Sequence, residues 1–345
     1  MLTKMTDLRL AVIGLGYWGP KIVRNLQALP HTQVAIVADL DAYRLASLAA
    51  SQPWIKTTTQ VEDVLQSDVD GVIIVTPVKT HYQLAKKALV HAKHVLVEKP
   101  LTANLAEAEE LVALAEQQRR ILMVGHTFEY SPAVNELRKI IQNGDLGNIY
   151  CIETERVNLG LFRSDINVIW DLAPHDISIL LYLLGKKPNQ IAVQAHAHLQ
   201  SPIHDVAHLD LGFADGITAH IHVSWLHPCK IRRVTVIGDK RMAVYDDTNP
   251  AEMLKVYNKG ADMHADPEVS YRFGATTIPH IDWIEPLQLE CEDFVNAVRT
   301  GTQPRAHGGV GLEVVRILAA AQKLLDAQDT SAEKEAAILS TSKHP

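Results

Sequence analysis

The segment GLGYWG, from Gly14 to Gly19, constrains the fold of this chain more than any other stretch. It follows the apolar run LRLAVI and precedes a segment with helical periodicity, in which Ile22 and Leu26 share one face. Glycines at this spacing between a strand and a helix are typical of a turn that brings backbone N–H groups against a pyrophosphate. Asp39 ends the next apolar run, twenty residues after Gly19. The start of the chain is therefore predicted to be a βαβ unit that binds a dinucleotide.

The residue at the end of the second strand indicates which dinucleotide is bound. Asp39 is expected to accept hydrogen bonds from both ribose hydroxyls of NAD, and its charge repels the 2′-phosphate of NADP. Arg44 leaves NADP open, because an arginine here can pair with a 2′-phosphate or lie over the adenine ring. NAD is the expected cofactor.

The other predicted cofactor contacts lie in the glycine loop and at the carboxyl ends of later strands, which form the ligand-binding edge of a doubly wound sheet. For His81 a surface position at the start of a helix is an equally good interpretation. The full predicted set is Gly14, Leu15, Gly16, Tyr17, Trp18, Gly19, Asp39, Leu40, Arg44, Thr76, Pro77, His81, Glu98, Lys99 and Pro100.

Strand and helix patterns alternate from the glycine loop as far as His126, which predicts parallel βαβ units. From residue 147 onwards, segments such as IAVQAHAHL alternate with period two, which predicts a largely antiparallel sheet, interrupted by the helix HDISILLYLLG. The predicted fold class is α/β. A Rossmann doubly wound parallel sheet is expected in residues 1–126, and an α/β domain with a large, mostly antiparallel open sheet in residues 127–345.

Composition narrows the class of partner. The chain has 345 residues, of which 47% are hydrophobic and 21% charged, and a net charge of -7. These values suit a globular protein with a small-molecule substrate and argue against a nucleic-acid partner. No apolar run approaches the roughly 18 residues of a membrane helix, and the first residues lack the apolar segment of a signal peptide. A cytoplasmic protein without a membrane partner is expected.

Two pairs of histidines raise the question of a metal site. His196 and His198 share one face of a predicted strand, and His220 and His222 share a face of another. No carboxylate or cysteine stands at ligand spacing among them, so they are interpreted as half-exposed strand positions. The three cysteines fit neither a disulfide framework nor a metal motif. No metal is expected.

The strand from Val95 to Val97 ends in Glu98, Lys99 and Pro100. Two charged residues at the end of a buried strand cost more desolvation than an ordinary turn of glycine or asparagine. Their position explains them, since the carboxyl ends of the strands are where cofactor and substrate meet. Glu98 is expected to hydrogen-bond to the nicotinamide ribose or to hold Lys99. A cis peptide bond is predicted before Pro100, because proline is the residue that admits this isomer.

The motifs GLGYWG, TPVKTH and EKP, in this order, make the chain resemble the Gfo/Idh/MocA family of NAD(P)-dependent sugar and polyol oxidoreductases. The resemblance continues through ILMVGHTFEYSPAVNELRKIIQNGDLGNIY, WDLAPHDISILLYLLG and DFVNAVRTGTQPRAHGGVGLEVVRILAAA. It implies that Lys99, Asp171 and His175 are the catalytic residues. It also implies a homodimer or homotetramer, because relatives pack one face of the open sheet between subunits. The substrate contacts that it implies are Arg156, Asn158, Arg163, Asn167, Trp170, Asp171 and His175. For the first four of these, a position in a surface loop is an equally good interpretation.

These catalytic residues suit the oxidation of a secondary hydroxyl, in which the cofactor takes the hydride and the protein takes the proton. Asp171 and His175 are four residues apart, so a helical turn puts them on one side. Pro174 predicts that the helix begins about there. His175 would then lie at a helix N-terminus, whose dipole disfavours the imidazolium form, and beside Asp171, which favours that form. A histidine under these two opposing effects suits a base near neutral pH. His175 is the expected terminal base, and Lys99 the orienting acid or proton relay.

The substrate is less tightly defined. The form NVIWDLAPHD resembles members associated with nucleotide-linked amino sugars, in which the C3 hydroxyl is oxidised. Residues that would meet a diphosphate are Arg156, Arg163, Lys230, Arg232 and Arg233, although such arginines are usually solvated. An inositol or simple sugar dehydrogenase or reductase stays open, and so does a non-catalytic member that senses NAD or a sugar. The presence of all three catalytic residues favours an enzyme.

Overall fold

In the computed structural model, residues 7–263 and 268–341 are described, with side chains as far as residue 328. The chain forms two compact units. The first comprises Met1–Ser131 and Trp283–Val315, and the second comprises Pro132–Asp282 and Arg316–Pro345.

The first unit therefore differs from the division expected from sequence, which placed everything after His126 in the second domain. The returning segment Trp283–Val315 belongs to the first unit because its apolar side chains are buried in the core of that unit. Cys291 and Phe294 are buried in the same core cluster as Leu96. Burying these side chains offsets the entropy lost by ordering the segment.

The first unit is built on a six-stranded sheet in the order β3-β2-β1-β4-β5-β6, and every pair is parallel. Its strands are β1 (Leu8–Ile13), β2 (Thr32–Ala38), β3 (Lys56–Thr58), β4 (Gly71–Ile74), β5 (His94–Glu98) and β6 (Leu122–Gly125). Its first helices are α1 (Gly19–Ala28), α2 (Ala42–Ser51), α3 (Val61–Leu65), α4 (His81–Val90) and α5 (Leu105–Gln118). The order reverses between β1 and β4, so this is the predicted doubly wound sheet. Strand β4 is buried at every residue, as expected of a central parallel strand.

The second unit contains an eight-stranded sheet in the order β14-β13-β12-β11-β7-β10-β9-β8. Its strands are β7 (Ile149–Val157), β8 (Gln190–His196), β9 (Val206–Gly212), β10 (Thr218–Ser224), β11 (Ile231–Gly238), β12 (Met242–Asp246), β13 (Leu254–Met263) and β14 (Val269–Thr277). The remaining α-helices among the described residues are α6 (Pro132–Gln142), α7 (Val168–Leu184), α8 (Pro286–Thr300) and α9 (Gly308–Thr341). Among the described strands of this sheet, only β7 and β10 pair in parallel, so the predicted antiparallel character is confirmed.

One face of this second sheet is covered and the other is open. Burial alternates along β9 and β10, and α7 packs against β10. Period-two burial on one face is the pattern that the sequence showed. Over residues 7–263 and 268–341, no helix combines the length and the apolar composition needed to cross a membrane.

The start of α7 corrects the sequence-based expectation. The helix begins at Val168 rather than near Pro174, because the side-chain oxygen of Asn167 accepts hydrogen bonds from the backbone N–H groups of Ile169 and Trp170 and caps it. Pro174 lies inside the helix, where its missing N–H removes a single hydrogen bond. His175 is therefore in the body of the helix, and the predicted effect of a helix N-terminus on this residue is wrong.

Candidate active site

The glycine loop has the geometry that its spacing predicts. Gly14 has φ +105, and a Cβ atom there would lie 2.6 Å from the carbonyl oxygen of Val75. A Cβ on Gly19 would lie 2.4 Å from the carbonyl oxygen of Gly14. Gly16, by contrast, has nothing within 4 Å of the same position. Gly14 and Gly19 are therefore required by the turn and the packing, whereas Gly16 leaves open space in which a pyrophosphate can approach the backbone.

Asp39 lies against the glycine loop. Its Oδ2 accepts a hydrogen bond from the backbone N–H of Leu15, and its Oδ1 accepts one of 2.8 Å from Asp41 N–H. Arg44 lies 3.9 Å from Asp39 Oδ2 and 3.2 Å from Asp41 Oδ2. Two carboxylates thus neutralise this arginine, which leaves it poorly suited to a 2′-phosphate. Leu40 is exposed beside them.

His81 is buried and is not the surface residue that one interpretation of the sequence expected. Its side chain is 1% exposed, with Nδ1 2.9 Å from the carbonyl oxygen of Pro100 and Nε2 2.8 Å from that of Thr76. Burial lowers the pKa of His81, while the two carbonyl groups act in the opposite direction. A neutral ring carries one N–H and donates to one carbonyl at a time. His81 joins the segments that follow β4 and β5.

Thr76 and Pro77 lie in the segment that follows β4. The hydroxyl groups of Thr76 and Thr80 are 2.7 Å apart, and the Thr80 hydroxyl also donates to the carbonyl oxygen of Pro77. These bonds close the turn that leads into α4. The segment therefore has a fixed shape at the carboxyl edge of the sheet.

Glu98 is the last residue of β5 and Lys99 directly follows it. The peptide bond between Lys99 and Pro100 is cis, as predicted. The backbone N–H of Lys99 donates to Glu98 Oε2 at 3.2 Å. The Glu98 carboxyl group lies on Gly125 of β6, where a Cβ atom would be 3.3 Å from Oε2. Burial raises the pKa of Glu98 to about 7, against the opposing charge of Lys99.

Sequence reasoning missed His126, which directly follows β6. Its side chain is 0% exposed, and neither ring nitrogen has a hydrogen-bond partner among the residues that the structure describes. Burial, and then the charge of Lys99, lower the pKa of His126 to about 3, so the ring is neutral. The sequence did offer a signal for His126, which is a polar residue immediately after the apolar strand ILMVG. The neighbouring strand β5 also ends in polar residues, Glu98 and Lys99, at the same edge of the sheet.

The second group of predicted site residues lies on α7 in the second unit. Asp171 is in the first turn, and its Oδ2 accepts a hydrogen bond of 2.9 Å from the indole N–H of buried Trp225. Arg163 Nη1 lies 3.9 Å from Asp171 Oδ1. His175 is partly exposed one turn further along, and its carbonyl oxygen accepts from the Ser178 hydroxyl. The indole bond fixes the direction of the Asp171 carboxylate on the face that it shares with His175.

Two of the predicted substrate residues have structural partners instead. Arg156 is 5% exposed and forms two hydrogen bonds, of 2.8 and 3.2 Å, to Asp176, which is 1% exposed. Asn167 caps α7 and donates to Gln322 Oε1 at 2.8 Å. The first pair ties β7 to α7, and the second contact ties the start of α7 to α9. This geometry argues against substrate contacts by Arg156 and Asn167.

The remaining candidates lie nearer the surface. Arg163 is half-exposed and pairs with Asp165 through two contacts of 3.1 Å. Asn158 directly follows β7 and Trp170 lies in the first turn of α7, both partly exposed. The candidates for a diphosphate, Arg232 and Arg233, pair with Asp247 and Asp246, whereas Lys230 is exposed. Arg163 is thus the predicted substrate residue whose charge lies closest to a predicted catalytic residue.

The histidines considered as metal ligands are spread over the second sheet. His208 and His222 stack with ring centroids 4.3 Å apart, and His220 Nδ1 lies 2.6 Å from Asp210 Oδ1. His196 is on β8, which β9 separates from β10. In the part of the chain that the structure describes, no group of three or more His, Cys, Asp or Glu residues is arranged to hold a metal ion.

The comparisons with known proteins agree with this geometry. Residues 8–126 match the profile of an oxidoreductase family with an NAD-binding Rossmann fold, and residues 134–244 match the GFO/IDH/MocA C-terminal domain. UDP-N-acetylglucosamine 3-dehydrogenase from Acidithiobacillus ferrooxidans is 30% identical over 328 residues, which cover 92% of this chain and 96% of that protein. An inositol 2-dehydrogenase from Mycolicibacterium gilvum is 30% identical over 189 residues, which cover 53% of this chain and 54% of that protein.

Solved structures show the same fold over nearly the full length. A putative oxidoreductase from Magnetospirillum magnetotacticum has a TM-score of 0.80 and 29% identity, with coverage of 91% of this chain and 99% of that chain. The glycine loop, the doubly wound sheet and the full-length relatives lead to one conclusion. This chain belongs to the Gfo/Idh/MocA family of oxidoreductases and has the family's NAD-binding Rossmann domain.

Proposed function

We propose that the protein is an NAD-dependent dehydrogenase that interconverts a secondary hydroxyl and a ketone on a sugar, with C3 of a nucleotide-linked amino sugar as the first candidate. The observation that carries the proposal is the pairing of Asp171 and His175 on one face of α7, with Asp171 fixed by the Trp225 indole. A carboxylate and an imidazole so arranged suit removal of a proton from a hydroxyl group.

The residues of the glycine loop fit the cofactor. Gly16 leaves room for the pyrophosphate, and the N–H groups at the start of α1 favour its negative charge. Asp39 would accept the ribose hydroxyls in addition to its bond from Leu15 N–H, since a carboxylate has several acceptor positions. When bound, NAD supplies the hydride acceptor. The protein's share of the chemistry is then the proton.

The proton has two candidate carriers. His175 would take it from the substrate hydroxyl, and the nearby Asp171 carboxylate would favour the resulting imidazolium. Lys99 would orient or polarise the same oxygen from the carboxyl end of β5. Neutral His126 adds no positive charge beside Lys99. We assign His175 as the terminal base and Lys99 as the orienting acid or relay.

Two features support a sugar substrate, and the second supports a nucleotide-linked amino sugar. Arg163 lies beside Asp171 and pairs with two carboxylates, as Arg44 does, so it suits sugar hydroxyls better than a phosphate. The full-length relative named above acts on UDP-N-acetylglucosamine at C3. The inositol 2-dehydrogenase match supports the alternative of a polyol substrate, and it spans about half of this chain.

The experiment is a panel of UDP-sugars, myo-inositol and free aldoses, with NADH formation followed by absorbance. UDP-N-acetylglucosamine is expected to be the best substrate. Lys99→Ala and His175→Ala should lower kcat at least about a hundredfold. Their matched controls are Lys139→Ala and His91→Ala, at exposed positions, which should retain full activity.

Three outcomes would count against the proposal. Near-normal turnover in either variant would remove that residue from the assignment. A clear preference for myo-inositol would replace the substrate. No turnover on any compound, with NAD still bound, would favour a sensing protein.

We further propose that the protein forms a homodimer or homotetramer through the open face of the second sheet. The proposal is supported by the size of the open face, which extends over eight strands. Helix α7 packs against β10 on the opposite, covered face. Sedimentation equilibrium is expected to give two or four chains per particle. A monomer at micromolar concentration would contradict this.

A further inference from the structure

Trp225, which directly follows β10, is a buried aromatic residue of the second unit. Its side chain is 1% exposed, and its indole N–H donates a hydrogen bond of 2.9 Å to Asp171 Oδ2. Its backbone N–H donates to the carbonyl oxygen of Asp205 at 2.9 Å, which holds the backbone in place. A buried tryptophan needs an acceptor for its indole N–H, and here the acceptor is a predicted catalytic carboxylate.

The indole bond selects one orientation of this carboxylate. The last torsion angle of an aspartate side chain has broad minima, so an unrestrained carboxylate samples many orientations. The rigid indole ring binds Oδ2, and Oδ1 then lies on the side of Arg163, whose Nη1 atom is 3.9 Å away. Trp225 therefore determines which oxygen of Asp171 faces the segment that carries Arg163.

The same residue also holds the segment that follows β7. We call residues 158–163 the Arg163 loop. The backbone N–H of Asn158 donates to the carbonyl oxygen of Ser224 at 3.2 Å, and that of Gly160 donates to the carbonyl oxygen of Trp225 at 3.0 Å. The loop is thus attached to the last residue of β10 and to the residue after it.

A ring contact adds to this attachment. The rings of Phe162 and Trp225 meet edge to face, with centroids 5.8 Å apart and an angle of 69° between their planes. This geometry is favourable for an aromatic pair. Leu159 and Leu161 are 70% and 90% exposed, so Phe162 is the large apolar side chain of the loop that packs on the fold. Arg163 directly follows it in the chain.

We propose that Trp225 is a positioning residue with two separable roles. Its indole N–H orients the Asp171 carboxylate, and its ring and carbonyl group hold the Arg163 loop so that the guanidinium group meets the hydroxyl groups of the sugar. The two roles use different atoms of one residue, so each can be removed without the other. Both roles rest on the proposed dehydrogenase function.

Trp225→Phe removes the indole N–H and keeps an aromatic ring for Phe162. Single-turnover formation of NADH from UDP-N-acetylglucosamine and NAD should become about tenfold slower, because the carboxylate loses a charge-assisted hydrogen bond. KM should change by less than about threefold, since the Arg163 loop stays attached. The amplitude should equal that of the wild type, whereas partly unfolded protein would lower the amplitude and not the rate. Trp54→Phe, at a position that is 64% exposed, is the control.

Phe162→Ala removes the ring contact and keeps the indole bond. KM for UDP-N-acetylglucosamine should rise at least about fivefold, because backbone hydrogen bonds alone then hold the Arg163 loop. The single-turnover rate at saturating substrate should stay within about twofold of the wild-type rate. Tyr150→Ala, which removes an exposed aromatic ring from β7, is the control and should change neither quantity.

Indole ¹H–¹⁵N NMR tests the hydrogen bond without turnover. The chain has five tryptophans, and the signal that is lost in Trp225→Phe identifies Trp225. In Asp171→Asn the proton of this signal should move upfield, because a hydrogen bond to a neutral amide is weaker than one to a carboxylate. Asp210→Asn, which removes an exposed carboxylate on β9, should leave the signal in place.

Three results would overturn the inference. A Trp225 signal that does not change in Asp171→Asn would show that the bond is absent. A wild-type single-turnover rate in Trp225→Phe would remove the first role, and a loss of rate with unchanged KM in Phe162→Ala would remove the second. An inactive wild type whose Trp225 signal responds to Asp171→Asn would contradict only the proposed function, whereas an active enzyme with wild-type kinetics in both variants would contradict only this inference.

Discussion

Replacing Arg156 by methionine tests whether this residue is structural or contacts the substrate. Arg156 and Asp176 are 5% and 1% exposed and are joined by contacts of 2.8 and 3.2 Å. Removing one partner of a buried pair leaves the other charge uncompensated, at a cost of about 3–5 kcal/mol in the free energy of unfolding. Arg232 also acts on Asp176 and offsets part of this cost, so the lower end, about 3 kcal/mol, is expected.

The assay is urea denaturation followed by circular dichroism, read as the shift in midpoint at constant slope. Replacing both partners, as Arg156→Met with Asp176→Leu, should recover most of the stability, because no buried charge then remains. The control is Arg233→Met, which breaks the half-exposed pair with Asp246 and should cost less than about 1 kcal/mol.

The loss in Arg156→Met should also depend on pH. Burial raises the pKa of Asp176, and loss of the arginine raises it further. The uncompensated charge destabilises the fold above the folded-state pKa, and the penalty fades as falling pH protonates Asp176. The loss is therefore expected to be smaller near pH 5 than near pH 8. A loss below about 1 kcal/mol with a large rise in KM for substrate would refute the structural role.

Three further predictions concern the cofactor domain. Asp39→Asn keeps an acceptor for Leu15 N–H but removes the negative charge that repels a 2′-phosphate. Binding titrations should therefore show the preference for NAD over NADP falling at least about tenfold. An unchanged ratio would contradict the assignment of Asp39 as the residue that selects NAD. Gly16→Ala should keep the thermal midpoint of the wild type, because a Cβ atom there meets nothing, yet it should bind NAD at least about tenfold more weakly. Gly19→Ala should also lower the thermal midpoint, because its Cβ atom would clash with the Gly14 carbonyl oxygen. Equal stability of the two variants would contradict these roles of the two glycines. His81→Ala should cost about 1–3 kcal/mol in thermal unfolding, because a buried backbone carbonyl group loses its N–H donor, and an unaffected midpoint would contradict this.

Features with strong local causes were predictable from the sequence. The glycine loop and the cis bond before Pro100 follow from short motifs whose residues admit few conformations. The doubly wound sheet followed from the alternation of strand and helix patterns. The antiparallel second sheet followed from period-two alternation. The resemblance to the family then supplied Lys99, Asp171 and His175, whose catalytic roles stay proposals.

Features that depend on distant contacts were not predictable. Arg156 looked like a substrate residue because nothing in the sequence shows that Asp176 lies opposite it. Pro174 suggested a helix start, but the helix begins at Val168 because the Asn167 side chain caps it. The return of Trp283–Val315 to the first unit depends on side chains that fill a core formed by residues far away in the chain. The position of His126 directly after a strand was visible in the sequence, but its complete burial depends on tertiary contacts.

The most direct test of the central claim is isotope transfer from the substrate to the cofactor. UDP-N-acetylglucosamine deuterated at C3 is incubated with the enzyme and NAD, and the reduced cofactor is analysed by mass spectrometry. The proposed function predicts that deuterium appears on the nicotinamide with the wild type and is reduced at least about a hundredfold with His175→Ala and with Lys99→Ala. Formation of unlabelled NADH, or equal labelling by the variants, would contradict it.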